Sequence, residues 1–134
     1  MTMEPDNSST NSKHVLCIED EFFISELYVR ALTKAGYVVD VQLDGIKGLA
    51  AAQTDSYDII LLDLMMPGAT GIEVLRALRD PAKTPKLHAK VIITTNLEQS
   101  DGARADIEQQ ADGYIVKAEI TPRELVEFLG HLDA

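Results

Sequence analysis

A single cysteine, Cys17, is too few for a disulfide framework or a thiolate metal cluster. Basic residues are scarce as well: 12 Lys and Arg stand against 22 Asp and Glu, and 12 − 22 leaves a net charge of −10. Phosphate backbones bind through clustered Lys and Arg, so this balance argues against nucleic acid as a direct partner. Long hydrophobic runs are absent. The longest aliphatic stretch, Ile59 to Leu62, falls far short of the roughly 20 apolar residues a bilayer-spanning helix needs. Met1 to Ser12 has neither the basic start nor the apolar stretch of a secretory signal, which points to a cytoplasmic protein. Its polar composition predicts a disordered lead-in over residues 1–12. His14, His88 and His131 are far apart without metal-ligand spacing and are expected at the surface. Gly45–Gly48 and Gly68–Gly71 lack the full dinucleotide or P-loop patterns and read as turn or helix-start glycines.

What is present suffices for one domain over residues 13–134, because 134 residues with 46% apolar side chains can bury a core unaided. Short aliphatic runs (Val15–Ile18, Tyr37–Val41, Ile59–Leu62, Val91–Thr94 and Tyr114–Val116) alternate with stretches of helical period. That alternation predicts an α/β protein with a parallel sheet. Asp40 in the second run suggests an edge strand, whereas the first, third and fourth runs are apolar enough to be covered on both faces. Capping boxes at Thr70–Glu73 and Thr121–Glu124 mark two helix starts. Pro122 at the first helical position and the stripe Leu125, Val126, Leu129, Leu132 extend the last one. Ile24, Leu27, Tyr28 and Ala31 share one face of an earlier helix, and Gly36 is its stop signal. Asp44 can cap a helix running to Gln53. A fourth helix, about Leu97 to Gln110, is interrupted by Gly102 and is expected to be a weakly seated surface helix.

A parallel sheet delivers the C-terminal ends of all its strands to one edge, where open α/β proteins place ligands. That edge collects Glu19, Asp20 and Glu21 after the first run, Asp63 after the third, Thr94 and Thr95 on the fourth and Lys117 after the fifth. Clustered carboxylates repel one another unless a cation lies among them, and a hard, oxygen-liganded ion such as Mg2+ fits. A helix-capping acid cluster without metal is the plainer alternative. Asp63 ends the most apolar strand and is the best nucleophile for an aspartyl phosphate, with Lys117 and Thr95 placed to stabilise the phosphoryl charge.

IED at Ile18–Asp20, DLMMPGATG at Asp63–Gly71, VIITT at Val91–Thr95 and GYIVK at Gly113–Lys117, in this order, resemble the receiver domain of two-component response regulators. The resemblance implies a flavodoxin-like fold, five parallel strands of order 2-1-3-4-5 with helices on both faces. It implies that Asp63 accepts a phosphoryl group from a histidine kinase or histidine phosphotransfer protein. Asp20, Asp63 and the backbone carbonyl of Met65 would hold Mg2+, Glu19 would act on it through water, and Thr95 and Lys117 would contact phosphoryl oxygens. Tyr114 matches an aromatic switch position that responds to Thr95, although a half-buried edge-strand role explains it equally well. The output is altered binding of a downstream effector protein through the fourth helix, fifth strand and fifth helix, with homodimerisation possible. No output domain is expected in this chain.

Three departures stand out. Ala118 replaces a customary proline after Lys117, and Asn96 replaces a small residue after Thr95, where it can crowd Asp63. Met65 and Leu97 are apolar where side chains tune hydrolysis, which predicts a long-lived phosphorylated state. Two rival readings remain. A small aspartyl-phosphate phosphatase should carry a second Asp two residues beyond the nucleophile, where Met65 stands. A receiver-like interaction module that accepts no phosphate should have lost an acid or the lysine, and Asp20, Asp63 and Lys117 are all retained.

Overall fold

Strand-forming β-branched residues and the period-2 alternation of apolar side chains resolve into five strands in the computed structural model, which describes residues 13–66, 68–96 and 101–132. They are β1 (His14–Ile18), β2 (Val38–Gln42), β3 (Ile59–Asp63), β4 (Lys90–Thr95) and β5 (Gly113–Val116). Their bounds differ from the apolar runs by one residue at one or both ends, which brings Asp63 and Thr95 into the strands themselves. All pairings are parallel, in the order β2-β1-β3-β4-β5. The helices are α1 (Phe22–Lys34), α2 (Gly45–Ala52), α3 (Gly71–Arg79), α4 (Asp101–Gln110) and α5 (Pro122–Gly130), with a 3-10 turn at Lys117–Glu119. The lead-in over residues 1–12, Leu97 and the last two residues lie outside the described residues.

Alternate strand residues supply two cores. Leu16, Ile18, Ile60, Leu62, Val91 and Ile93 face Ala52 of α2, Val74, Leu75 and Leu78 of α3 and Ile107 of α4. Val15, Cys17, Ile59, Leu61, Ile92 and Ile115 face Tyr28 and Leu32 of α1 and Leu125 and Leu129 of α5. Every residue of β3 is buried, and each of its four aliphatic side chains contributes about 2 kcal/mol by leaving water. The strand that ends in Asp63 is therefore held rigidly at the sheet centre.

Both capping boxes form, with Thr70 and Thr121 accepting from the amides of Glu73 and Glu124. Asp44 caps α2 by accepting from Lys47. Gly36 ends α1 at φ +102°, a backbone conformation open to glycine. One helical position departs from expectation: Leu27 is 49% exposed, because the buried face of α1 is centred on Ser25, Tyr28 and Leu32. At the sheet edge, Asp40 of β2 accepts a hydrogen bond from the Tyr57 hydroxyl at 2.6 Å. The one buried residue among the described side chains of α4 is Ile107, in keeping with a lightly seated helix. The three histidines are exposed. Cys17 is a core residue whose thiol is pushed up to about 12 by burial, then by the charge of Glu19.

Candidate functional site

Strand register explains why distant acids meet. Ile18 pairs with Leu62 across β1 and β3, so Glu19 and Asp63 emerge side by side; Asp63 pairs with Thr94, and Thr95 with Val116. Lys117 follows Val116 directly and opens the 3-10 turn. Gly71, the first residue of α3, is as important to this placement as any charged group. A Cβ there would lie 2.3 Å from the Asp63 carbonyl oxygen and 2.5 Å from Leu64 Cα, so only glycine lets the helix start this close to the strand end.

Glu19, Asp20 and Asp63 each offer a carboxylate oxygen, and these atoms all lie within 4.8 Å of one another. Glu19 and Asp63 are buried, whereas Asp20 faces solvent. Lys117 lies against the cluster, its Nζ 2.5 Å from Glu19 Oε1 and 3.4 Å from both Asp63 Oδ1 and Glu21 Oε1. Further amides orient the acids: the Glu21 N–H donates to Glu19 Oε2 at 3.0 Å, and the Met65 N–H to Asp63 Oδ1 at 3.1 Å.

Charge crowding shows in the ionisation of these groups. Asp63 is raised to about 7, first by burial and then by the charge of Glu19, with Lys117 and the Met65 amide opposing. Burial pulls Lys117 down, but the hydrogen bond to Glu19 and the charges of Asp63, Glu19 and Glu21 outweigh it, so its pKa rises and it stays cationic. Glu21 is held below its usual range chiefly by the Asn96 side chain, assisted by Lys117. An exclusively oxygen donor set carrying excess negative charge suits Mg2+.

The structure thus brings together Glu19, Asp20, Asp63 and Lys117, with Thr95 fully buried at the end of β4. Met65 has a 63% exposed side chain, so its part in the cluster is made by backbone. Tyr114 is half-buried on β5, with the Arg104 guanidinium of α4 stacked 4.3 Å from its ring centroid. The Lys117–Ala118 peptide is trans, as are all described peptides. Sequence reasoning placed Glu21 on this edge without a role. The structure makes it a partner of both Lys117 and Asn96, a link between residues 96 and 75 positions away that no local spacing signals.

Residues 15–129 match the family model for the response regulator receiver domain. The chain is 37% identical over 117 residues to the transcriptional regulatory protein ResD of Bacillus subtilis, covering 87% of this chain and 46% of ResD. It is 36% identical over 121 residues to the response regulator ArlR of Staphylococcus epidermidis, covering 90% and 51%. It therefore spans about half the length of the curated relatives it matches. Among solved structures, TrrA of Thermotoga maritima, a response regulator determined in complex with Mg2+ and BeF, superposes with a TM-score of 0.73 at 33% identity, covering 90% of this chain and 98% of TrrA. With the sheet order, the strand-end acids and the lysine in the same frame, this chain belongs to the response regulator receiver domain family.

Proposed function

We propose that this chain is a phosphorylation-controlled receiver in which Asp63 accepts a phosphoryl group from a histidine kinase or histidine phosphotransfer protein. The observation that carries this reading is the setting of Asp63: a carboxylate ending the central strand, with Lys117 at 3.4 Å and two further acids within reach. A carboxylate oxygen of Asp63 attacks phosphorus, the bond to the donor's imidazole nitrogen breaks, and that nitrogen keeps the electron pair. Lys117 and Thr95 bind the phosphoryl oxygens and balance their charge. Asp20 and Asp63, with the Met65 carbonyl, would hold Mg2+, and Glu19 would act through water. The ion, when bound, offsets the carboxylate repulsion and phosphoryl charge. TrrA, a similar response regulator, was determined in complex with Mg2+, which supports Mg2+ as the ion.

Thr95 and Tyr114 are the switch pair. Once Thr95 engages the phosphoryl group, Tyr114 changes position and the surface formed by α4, β5 and α5 shifts between two arrangements. The light seating of α4, with Ile107 as its buried anchor, supports its role as the mobile element. A downstream effector protein, or a second copy of the chain, reads that surface. In this reading the chain turns over no substrate and touches no nucleic acid directly; its relative ResD, of which it spans 46%, is named a transcriptional regulatory protein. No helix among the described residues is long and apolar enough to cross a membrane, and a cytoplasmic location fits a kinase partner. Incubation with Mg2+ and acetyl phosphate should add one phosphoryl mass, absent in Asp63→Asn. A folded protein that takes no phosphoryl group would instead be a receiver-like interaction module.

A further inference from the structure

The rim of the site carries a contact between Glu21 and Asn96 that neither the phosphoryl chemistry nor the metal chemistry requires. The side chains of Asp63 and Glu19 are 2% exposed and that of Lys117 is 3%, so Asp63 offers little surface to a phosphodonor. The exposed residues nearest this cluster include Glu21 and Asn96. Glu21 Oε1 accepts from Asn96 Nδ2 at 3.1 Å and also from Lys117 Nζ at 3.4 Å. Glu21 follows β1 and Asn96 follows β4, while β3 lies between those two strands in the sheet. A bridge from the end of β1 to the end of β4 therefore crosses the end of β3, which is Asp63. Neighbouring strands are about 4.8 Å apart, so the two side chains span roughly 10 Å.

Glu21 is well suited to act as one half of a clasp. Its backbone N–H is pinned to Glu19 Oε2 at 3.0 Å, and its side chain makes no cap bond to α1, leaving the carboxylate available for the crossing contact. Asn96 supplies the other half as a neutral amide that can donate without adding charge. The contact is charge-assisted but exposed, so it is strong enough to favour the closed rim and weak enough to open.

We propose that Asn96 and Glu21 form a clasp over Asp63 that limits entry of the phosphodonor, making Asn96 a positioning residue that acts through Glu21. This rests on Asp63 being the phosphoacceptor. Opening breaks the Asn96 contact and moves the Glu21 carboxylate aside, which also frees Lys117 to exchange Glu21 for phosphoryl oxygens.

The test is the rate of phosphorylation of the 134-residue chain by acetyl phosphate at saturating Mg2+, followed by intact mass. Asn96→Ala should react several-fold faster, up to about the tenfold that 1.4 kcal/mol represents. Its Mg2+ affinity by calorimetry should stay within about twofold of the parent, since one hydrogen bond at the rim is removed and no ligand is. Glu21→Ala should also accelerate the reaction, and the double variant should be no faster than the faster single one, because both break the same contact. Both positions are exposed, and thermal melts verify that each variant is folded. Labelling of the parent at Asp63 with no acceleration in Asn96→Ala, or with strictly multiplicative effects of the two substitutions, overturns the clasp and leaves the phosphoacceptor reading standing. No labelling of the folded parent overturns both.

Discussion

Replacing Asp63 by asparagine should stabilise the metal-free protein while abolishing phosphorylation. In the folded chain the Asp63 carboxyl sits at about 7 rather than at its ordinary 3.8, first because it is buried and then because Glu19 is beside it. At 1.36 kcal/mol per pH unit, that gap of about 3 corresponds to at most about 4 kcal/mol of strain once the group is ionised. Because the native state holds this proton more tightly than the unfolded chain does, stability falls as pH rises from about 4 to about 7, and the penalty is complete above that. Asparagine keeps an acceptor for the Met65 N–H and leaves Lys117 paired with Glu19, but removes the crowded charge. Allowing for relaxation, the gain at pH 8 in EDTA should be on the order of 2–4 kcal/mol, a rise in melting temperature of roughly 10 °C. Calorimetric melts at pH 8 and pH 5 are the assay. The gain should shrink to less than half at pH 5, and Mg2+ should raise the melting temperature of the parent more than that of the variant. An Asp63→Asn protein that melts at or below the parent at pH 8 without metal would refute the claim that carboxylate repulsion is stored at this site.

Gly71→Ala should cost more than about 2 kcal/mol, because its Cβ would meet the backbone of Asp63 and Leu64 at 2.3 and 2.5 Å; the urea midpoint measures it. The same variant should phosphorylate more slowly, since relief of that clash moves Asp63. Thr121→Ala removes the capping-box hydroxyl of α5 and should cost about 1 kcal/mol in the same titration. Asp55 accepts from both the His88 amide and ring, which holds its carboxyl below the usual range. That stabilisation is present above the unfolded pKa and is lost as pH falls through the lowered folded value. Asp55→Asn should therefore lose less stability than the parent between pH 5 and pH 2 in acid-unfolding curves.

Much of this protein is legible along the chain. The β-branched runs, the two Thr-x-x-Glu capping boxes, Pro122 and Gly36 each act within a few residues, so local chemistry determines where strands and helices begin and end. The receiver motifs point to the right edge of the sheet, because a strand-end acid or lysine in a parallel α/β protein can lie only there. The misplaced Leu27 shows the limit: helical period identifies an apolar stripe, but packing against β2 and α5 decides which part of it is buried, and Leu32 took the place.

Only the tertiary structure decided how the charged groups are shared. Strand order brings the ends of β1, β3, β4 and β5 together, and register sets Glu19, Asp63 and Lys117 at contact distance. The pairing of Glu21 with Asn96 and Lys117 joins three loops across 96 and 75 residues of chain. Sequence by itself determined which side chains stand at the strand ends; which of them touch, and over what they close, follows from distances that exist only once all five strands are aligned.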